Sequence, residues 1–303
     1  MKNIEVKITG TFLDEITCDI PSQNWGEEEW SKDFDAMQKI GIDTVIIIRC
    51  GLRDRMVYPS KIIKREGNDD IARIFLKETE KRGMKLFWGL YDSGYYWLNG
   101  NWKKEVEINY KIIDEVLELY GNYKSFFGWY MAQEVGKNEL NIIDIYNHIG
   151  KKCKDITPDK PILISPYYYS KKVTGNDNFL TLDEHIKNWD IIFKNISGIV
   201  DICAFQDGTV YPITELRKWT EATRELCDKY NIKCWSNLET FSRDMPIKFP
   251  PIDIRELKEK MFAVQGLVEK IITFEFSHFL SPNSIYLSAR NLYKQYLNFL
   301  NLK

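Results

Sequence analysis

The sequence predicts an α/β fold, more specifically a (β/α)8 barrel (TIM barrel) that forms a single domain over residues 1–303. Strand-like and helical segments alternate eight times along the chain, and neighbouring parallel strands need such crossover helices. No shift in composition and no Ser-, Gly- or Pro-rich linker divides the chain. With 303 residues, 44% of them apolar, the chain can bury the large core of a barrel in one domain.

Apolar and β-branched runs predict eight strands, at 6–13, 44–48, 85–90, 126–132, 161–165, 199–205, 233–238 and 270–276. Apolar residues at helical spacing predict eight helices, at 28–40, 69–81, 103–120, 139–154, 182–195, 213–230, 254–269 and 284–300. Gly41 and Gly83 are expected to end the first two helices, and Thr181 is a candidate cap for the fifth.

An open, doubly wound sheet is the alternative fold. Such a sheet usually has fewer strands and a Gly-rich first turn that binds a dinucleotide. The first predicted strand continues into Leu13, Asp14, Glu15 and Ile16, without a GxGxxG motif. The closed barrel is therefore the preferred prediction.

Charge and cysteine content narrow the function classes. The formal net charge of −2, with both signs interspersed, argues against a nucleic-acid partner. The N-terminus lacks an apolar run of signal-peptide length, and no segment has the length of a membrane span, so we expect a cytoplasmic protein without a membrane partner. The six cysteines form no CxxC pair and are expected to be free, buried thiols; they stand at positions 18, 50, 153, 203, 227 and 234. With only three histidines, we expect no His-rich metal centre, and no cofactor is predicted.

The segment from Phe126 to Gly136 is the most informative for function. It is predicted to be a buried strand, filled with apolar and aromatic residues up to Ala132, that ends in Gln133 and Glu134. Active sites of (β/α)8 barrels lie at the C-terminal ends of the strands. Glu134 is therefore a candidate for chemistry, rather than an ordinary charged loop residue.

Polar residues recur at the ends of most of the predicted strands, as expected for a pocket at one rim. They are Asp14, Glu15, Arg49, Asp92, Gln133, Glu134, Tyr167, Gln206, Asp207, Asn237, Glu239 and Glu275. On the seventh strand, Trp235, Asn237 and Glu239 alternate and so share one face. On the eighth strand, Thr273 and Glu275 are expected to point into the barrel, with the apolar residues between them facing the helices.

Aromatic residues are frequent in the loops predicted to lie at this rim. They are Trp25, Tyr91, Tyr95, Tyr96, Trp97, Trp102, Tyr167, Tyr168, Tyr169, Tyr211 and Phe241. Three consecutive aromatic residues cannot all face one core. Aromatic faces combined with carboxylates and amides suit a carbohydrate, which presents both C–H groups and hydroxyls.

The order of strands and the positions of Glu134 and Glu239 resemble the superfamily of retaining glycoside hydrolases built on (β/α)8 barrels. Several short segments are similar to a bacterial family of uncharacterised, glycosidase-like proteins within it: 8–14 (ITGTFLD), 24–26 (NWG), 41–46 (GIDTVI) and 206–208 (QDG). This resemblance covers nearly the whole chain. Many members have Asn-Glu at the end of strand four, where the Asn binds the sugar 2-hydroxyl, whereas this chain has Gln133-Glu134.

The resemblance implies a glycosidase in which Glu134 is the acid/base and Glu239 the nucleophile. Glycoside cleavage needs one protonated and one ionised carboxyl group. Burial behind an apolar strand is expected to raise the pKa of Glu134, and a hydrogen bond from Asn237 is expected to hold Glu239 ionised. Glu275 is the alternative nucleophile. Candidate substrate-binding residues are Asp14, Trp25, Arg49, Asp92, Tyr95, Gln133, Tyr167, Gln206, Asp207, Trp235, Asn237 and Glu275.

Two other functions stay open on the sequence. One is a non-catalytic barrel that binds carbohydrate without cleaving it. The other is a metal-dependent hydrolase that uses Asp14, Asp92, Asp207 and Glu275 as ligands, although the usual His-x-His of the first strand is absent. A phosphate-binding barrel is disfavoured because strands seven and eight lack Gly-rich ends.

Overall fold

Eight parallel strands close into a barrel in the computed structural model, which describes residues 6–16, 22, 24–64, 70–170, 179–208, 210, 212–242 and 249–302. Each strand pairs with the strands before and after it in the chain, and the eighth strand pairs with the first. The (β/α)8 prediction is confirmed. The prediction of one domain over residues 1–303 stays a prediction.

The barrel strands are β1 (Gly10–Leu13), β2 (Thr44–Ile47), β3 (Lys85–Gly89), β4 (Phe126–Met131), β5 (Ile162–Ile164), β6 (Ile202–Gln206), β7 (Lys233–Glu239) and β8 (Lys270–Phe274). The main helices are α1 (Glu27–Lys39), α2 (Ile71–Arg82), α3 (Trp102–Tyr120), α4 (Ile142–Ile156), α5 (Leu182–Ile196), α6 (Leu216–Lys229), α7 (Ile254–Val264) and α8 (Leu287–Phe299).

The sequence did not predict two small elements that extend the rim. Three short strands, Gly51–Leu52, Arg55–Met56 and Tyr91–Asp92, form a separate sheet above β2 and β3. A single helical turn, Phe276–Phe279, follows β8. Both are too short to produce a recognisable periodic pattern.

Local sequence signals set several helix ends. The Asp70 side chain accepts a hydrogen bond from the backbone N–H of Arg73 at 3.0 Å and caps α2. Thr181 and Glu184 form a capping box at the start of α5, as the sequence suggested for Thr181. Gly83 ends α2 with a φ of 64°, a conformation that glycine adopts without steric cost.

Apolar side chains fill the barrel interior in layers. They are Phe12, Ile46, Ile48, Phe87, Tyr130, Leu163, Ile202, Ala204 and Ile272, with Trp235 and Phe274 packed against them. A second, larger core joins the outer faces of the strands to the helices. Because side chains alternate between the two faces of a strand, the residues that follow this filled interior are the ones that reach the rim.

The predicted faces of β8 are wrong. Ile272 and Phe274 belong to the interior layer, so Thr273 points outward. Its buried hydroxyl donates a hydrogen bond to the carbonyl oxygen of Leu238 at 2.5 Å. The sequence prediction assumed that the polar residue faces the pocket, but a hydroxyl bonded to the neighbouring strand fits the outer face equally well.

Within the described part of the chain, no helix is long and apolar enough to cross a bilayer. Five cysteines are buried, free thiols, as predicted: Cys50, Cys153, Cys203, Cys227 and Cys234. Cys18 lies outside the described residues.

Replacing Phe12 with Ala should destabilise the barrel by about 3–5 kcal/mol, because it leaves a cavity in the interior layer. The Phe12 ring is 1% exposed and meets Tyr130 edge-on at 5.1 Å. Urea unfolding followed by circular dichroism measures the loss. The control is Ile191→Ala, at a position that is 49% exposed, which should change stability by about 0.5 kcal/mol or less. Equal effects of the two substitutions would contradict the interior packing.

Candidate active site

Glu134 lies at the rim, three residues after β4, and shares the inner face of that strand with Tyr130. The Tyr130 hydroxyl donates to its Oε1 at 2.7 Å, and the carboxyl side chain is 23% exposed. Burial raises the pKa of Glu134, as predicted, against the opposing effects of Arg49 and of hydrogen bonds from Tyr130 and Gln206. Glu134 is thus a carboxyl group at which desolvation outweighs a nearby cation.

Arg49 lies between two carboxylates of the rim. Its Nη2 is 3.9 Å from Glu134 Oε1, and its Nη1 is 3.9 Å from Asp92 Oδ2. Burial alone would lower the pKa of Arg49, but Glu134, Asp92 and Asp14 outweigh it and raise that pKa. The guanidinium therefore stays charged and links the ends of three strands.

Asp92 is buried and organises the loop after β3. Its Oδ1 accepts hydrogen bonds from the indole N–H of Trp97 at 2.8 Å and from the backbone N–H of Gly94 at 2.7 Å. Tyr95, in the same loop, is 61% exposed and contacts Tyr96 at 5.6 Å between ring centroids. One oxygen of Asp92 thus holds the loop, and the other faces Arg49.

Glu239 is the last residue of β7, and its carboxylate rests directly on the backbone at Gly208. A Cβ atom at position 208 would lie 1.5 Å from Glu239 Oε2, so only glycine leaves room for this carboxylate. The backbone N–H of Glu239 donates to Asp207 Oδ1 at 2.9 Å. The Gln206-Asp207-Gly208 segment therefore fixes Glu239 through two different contacts.

Asp207 is itself paired with Lys260 of α7. Lys260 Nζ lies 3.2 Å from Asp207 Oδ1 and 3.3 Å from the carbonyl oxygen of Glu239. Burial raises the pKa of Asp207 to about 6, and Lys260 opposes that rise. Lys260 was not among the residues predicted from the sequence. The spacing of apolar residues along α7 could have identified it, because Lys260 is a charged residue on the same buried face as Leu257 and Met261.

The segment at the end of β6 contacts both candidate catalytic residues. The Gln206 side chain hydrogen-bonds Glu134, and its Nε2 also donates to the carbonyl of Ser165 at 2.8 Å. Gly208, which supports Glu239, is two residues further along the same loop. The end of β6 therefore contacts Glu134 through Gln206 and Glu239 through Gly208.

Two residues that the sequence suggested for substrate binding, Asn237 and Trp235, lie on the inner face of β7 below Glu239. Asn237 donates from Nδ2 to Ser165 Oγ at 3.1 Å, and its Oδ1 has no hydrogen-bond partner among the described residues. Trp235 packs against Phe87 inside the barrel, with the ring centroids 6.0 Å apart. Four residues before Glu239 it lies about 13 Å lower along the strand, so the structure does not bring Trp235 to the rim.

Gln133 is fully buried and points away from the pocket. Its Nε2 donates to the carbonyl of Tyr91 at 2.9 Å and to Glu105 Oε1 at 2.8 Å, on the side of α3. Consecutive residues of an extended chain face opposite sides, so Gln133 and Glu134 cannot both face the barrel axis. The structure gives Gln133 a supporting position behind the rim and does not place it beside Glu134.

The aromatic loop residues divide between the rim and the core. Tyr167 stacks on Tyr169 with the ring centroids 6.1 Å apart, whereas Tyr168 is buried and stacks on Phe205. This division confirms that the three tyrosines do not face one core. Tyr211 lies outside the described residues.

Trp25 lies to one side of the rim. Its ring meets Trp30 edge-on, with the centroids 5.0 Å apart. It lines a cavity of about 320 Å³ between α1 and the loop before α8. Neither Glu134 nor Glu239 lines this cavity.

Glu275 belongs to a second group of buried polar residues, after β1 and β8. Glu275 is fully buried, and its Oε1 lies 2.7 Å from His278 Nδ1. His278 Nε2 is 3.3 Å from the hydroxyl of Ser22, which in turn donates to Glu15. Burial raises the pKa of Glu275, and His278 opposes the rise.

Asp14, after the end of β1, is also buried. Its charge raises the pKa of Arg49 on one side and that of Glu275 on the other.

In the parts of the chain that the structure describes, no three His, Cys, Asp or Glu side chains form a group that can hold a metal ion. The ligand set considered from the sequence does not come together as such a group; it consisted of Asp14, Asp92, Asp207 and Glu275. The metal-dependent alternative therefore gains no support from the geometry.

Replacing Glu15 with Gln should remove a pH-dependent loss of stability. Burial raises the pKa of Glu15 from 4.5 to about 8, so the folded protein keeps a proton that the unfolded chain releases. The contribution of Glu15 to the free energy of unfolding is fully present below the pKa of the unfolded chain. This contribution is lost as the pH rises toward about 8. The stability of Glu15→Gln relative to wild type should therefore increase across that window in urea unfolding at several pH values. A difference independent of pH would contradict the shift. The exposed Glu259→Gln is the control.

Comparison with known proteins identifies similar barrels. A crystal structure of a putative alpha-L-fucosidase from Bacteroides thetaiotaomicron VPI-5482 shares 46% sequence identity with this chain, with a TM-score of 0.94, and the match covers 98% of this chain and 94% of that one. No curated protein sequence matches this chain.

Two glycosidases share the fold at low identity. The endo-1,4-beta-D-mannanase of Thermotoga petrophila RKU-1 is 9% identical, with a TM-score of 0.61, over 97% of this chain and 99% of that one. A GH2 beta-galacturonidase from Eisenbergiella tayi is 10% identical, with a TM-score of 0.60, over 97% of this chain and 51% of that one. The predicted resemblance to glycosidase barrels is confirmed at the level of the fold. The family model described as a domain of unknown function, DUF4434, matches residues 8–286, and this chain belongs to that family.

Proposed function

We propose that this protein is a glycoside hydrolase that cleaves O-glycosidic bonds with Glu134 and Glu239 as its catalytic carboxyl groups. The observation that carries the proposal is their common position. Both lie at the C-terminal ends of barrel strands, and the loop at the end of β6 contacts both, through Gln206 and through Gly208. A pair of carboxyl groups in different environments is what glycoside cleavage requires.

Glu134 acts as the acid and later as the base. Burial favours its protonated form, which donates a proton to the leaving oxygen. Once that proton has left, Arg49 and the Tyr130 hydroxyl stabilise the carboxylate. The carboxylate then accepts a proton from the water that attacks in the second step.

Glu239 acts as the nucleophile. Its backbone is held on both sides, by Asp207 at the N–H and by Lys260 at the carbonyl, and its carboxylate rests on Gly208. In a retaining mechanism this carboxylate attacks the anomeric carbon as the glycosidic bond breaks, and water then releases the sugar from the enzyme.

Glu275 is a poorer candidate for the nucleophile. Its Oε1 accepts a hydrogen bond from the backbone N–H of His278 at 3.0 Å and is paired with the ring of the same residue. Both contacts with His278 hold one oxygen of this carboxylate, on the side of the barrel where β1 and β8 meet.

The 46% identical protein described as a putative alpha-L-fucosidase makes α-L-fucosides the first substrate class to examine. In this proposal Asp14, Asp92, Arg49 and Gln206 hydrogen-bond the sugar hydroxyls, and the half-buried Tyr167 offers an aromatic face. A barrel that binds sugar without cleaving it is the alternative outcome. Calorimetry that detects binding, together with no product release from any aryl glycoside, would indicate that outcome.

Replacing Glu134 with Gln should reduce hydrolysis according to the leaving group. With alkyl or sugar leaving groups, which need protonation, we expect kcat to fall by about 10²–10⁴-fold. With a nitrophenol leaving group the loss should be much smaller. Steady-state kinetics on a matched pair of substrates measures this difference. Glu139→Gln, five residues further along the chain, is the control. Equal losses on both substrates would argue against the acid role.

A retaining mechanism predicts that the first sugar product has the same anomeric configuration as the substrate. Proton NMR of the anomeric signal during the first minutes of hydrolysis, before mutarotation, distinguishes the two outcomes. The opposite anomer would show that Glu239 activates water directly and does not form a covalent intermediate.

A further inference from the structure

Lys260 is a cation on the core-facing side of α7. It is 4% exposed and shares this side of the helix with Leu257, Met261 and Val264. These positions follow the spacing of the apolar face of an amphipathic helix, where an aliphatic residue would be the usual choice. Burying an ammonium group is costly unless a counter-charge and hydrogen bonds compensate it. The contacts of Lys260 therefore need an explanation.

These contacts converge on the backbone of Glu239. Lys260 Nζ lies 3.3 Å from the carbonyl oxygen of Glu239 and 3.2 Å from Asp207 Oδ1. The same Asp207 oxygen accepts the N–H of Glu239 at 2.9 Å. The three residues thus form a closed ring of contacts that fixes both polar groups of the Glu239 backbone. An ion pair that only joined α7 to the barrel would not need to include both.

The ion pair within this ring depends on the ionised form of Asp207. Burial raises the pKa of this carboxyl to about 6; the charge of Lys260, from α7, lowers it, and the charge of Glu239, from β7, raises it. Asp207 is 2% exposed, and its Oδ2 has no hydrogen-bond partner among the described residues. The cation of Lys260 is therefore the main charge that favours ionised Asp207. An ionised carboxylate is a stronger acceptor for the Glu239 N–H than a neutral carboxyl group.

We infer that Lys260 is a positioning residue for Glu239: together with Asp207, it holds both polar groups of the Glu239 backbone and thereby keeps the Glu239 carboxylate against Gly208. This inference rests on the proposed function. Lys260 acts from behind the strand and does not touch the substrate. Its effect should appear in kcat and in the acid limb of the pH profile more than in KM.

The test compares Lys260→Met, Lys260→Arg and Lys258→Met by the pH dependence of kcat and KM on an aryl glycoside that wild type hydrolyses. For Lys260→Met we expect kcat to fall about 10²-fold with little change in KM, because a small misplacement of a reacting group costs this much. The acid limb should move to higher pH by about one unit or more, because Asp207 loses the opposite charge that lowers its pKa. Lys260→Arg keeps the charge and should keep the acid limb of wild type.

Lys258→Met is the matched control, because it removes another lysine of α7. The Nζ of Lys258 lies over the ring of Phe299, 5.3 Å from its centroid. This substitution should leave kcat and both limbs unchanged. If Lys260→Met fails to fold, the double variant Lys260→Met with Asp207→Asn is used instead. It removes both charges, so no unpaired charge is left buried. We expect this double variant to fold and to stay slow, without the Asp207-dependent acid limb.

Two outcomes would overturn the inference: Lys260→Met with the kcat and acid limb of wild type, or a double variant as fast as wild type. Either result would make the pair a purely structural contact. A wild-type protein that hydrolyses no aryl glycoside would instead overturn the proposed function itself, so the two failures are distinguishable.

Discussion

The apolar filling of the barrel interior is the constraint on which the rest of the molecule depends. Residues such as Phe12, Phe87 and Tyr130 occupy the axis, so the polar side chains of the inner faces concentrate at and near the last residues of the strands. Carboxylates, an arginine and amides therefore gather at one rim. Burial in a low-dielectric environment strengthens their mutual interactions and shifts their pKa values. The packed core thus creates the chemistry of the site as well as its position.

The two candidate catalytic residues sit in electrostatically different surroundings. Glu134 is desolvated, and the cation that opposes this effect, Arg49, is shared with Asp92. Glu239 has its backbone tied into the contact between Asp207 and Lys260. One carboxyl group is thereby favoured in its protonated form, while the other is fixed in place beside a buried ion pair. This asymmetry is a physical basis for a division between acid and nucleophile.

The junction of β1 and β8 is a third electrostatic environment. Asp14, Glu15, Glu275 and His278 lie there in a buried network that also includes Ser22. Burial, with a smaller contribution from neighbouring negative charges, raises the pKa values of Glu15 and Glu275, and His278 opposes part of that rise. Because Asp14 acts on both Arg49 and Glu275, this network adjoins the Glu134 side of the rim.

The sequence by itself determined the eight-fold alternation, most element positions, and the presence of Glu134 and Glu239 at strand ends. These properties follow from local periodicity and from the need to bury apolar strands. Only the tertiary structure decided that Gln133 and Thr273 point away from the pocket, that Trp235 fills the interior, and that Lys260 reaches Asp207. Strand faces depend on the register with which the barrel closes, and the contact of Lys260 joins residues 53 positions apart. Neither is encoded in the spacing of neighbouring residues, because both arise from packing between elements that are distant in the chain.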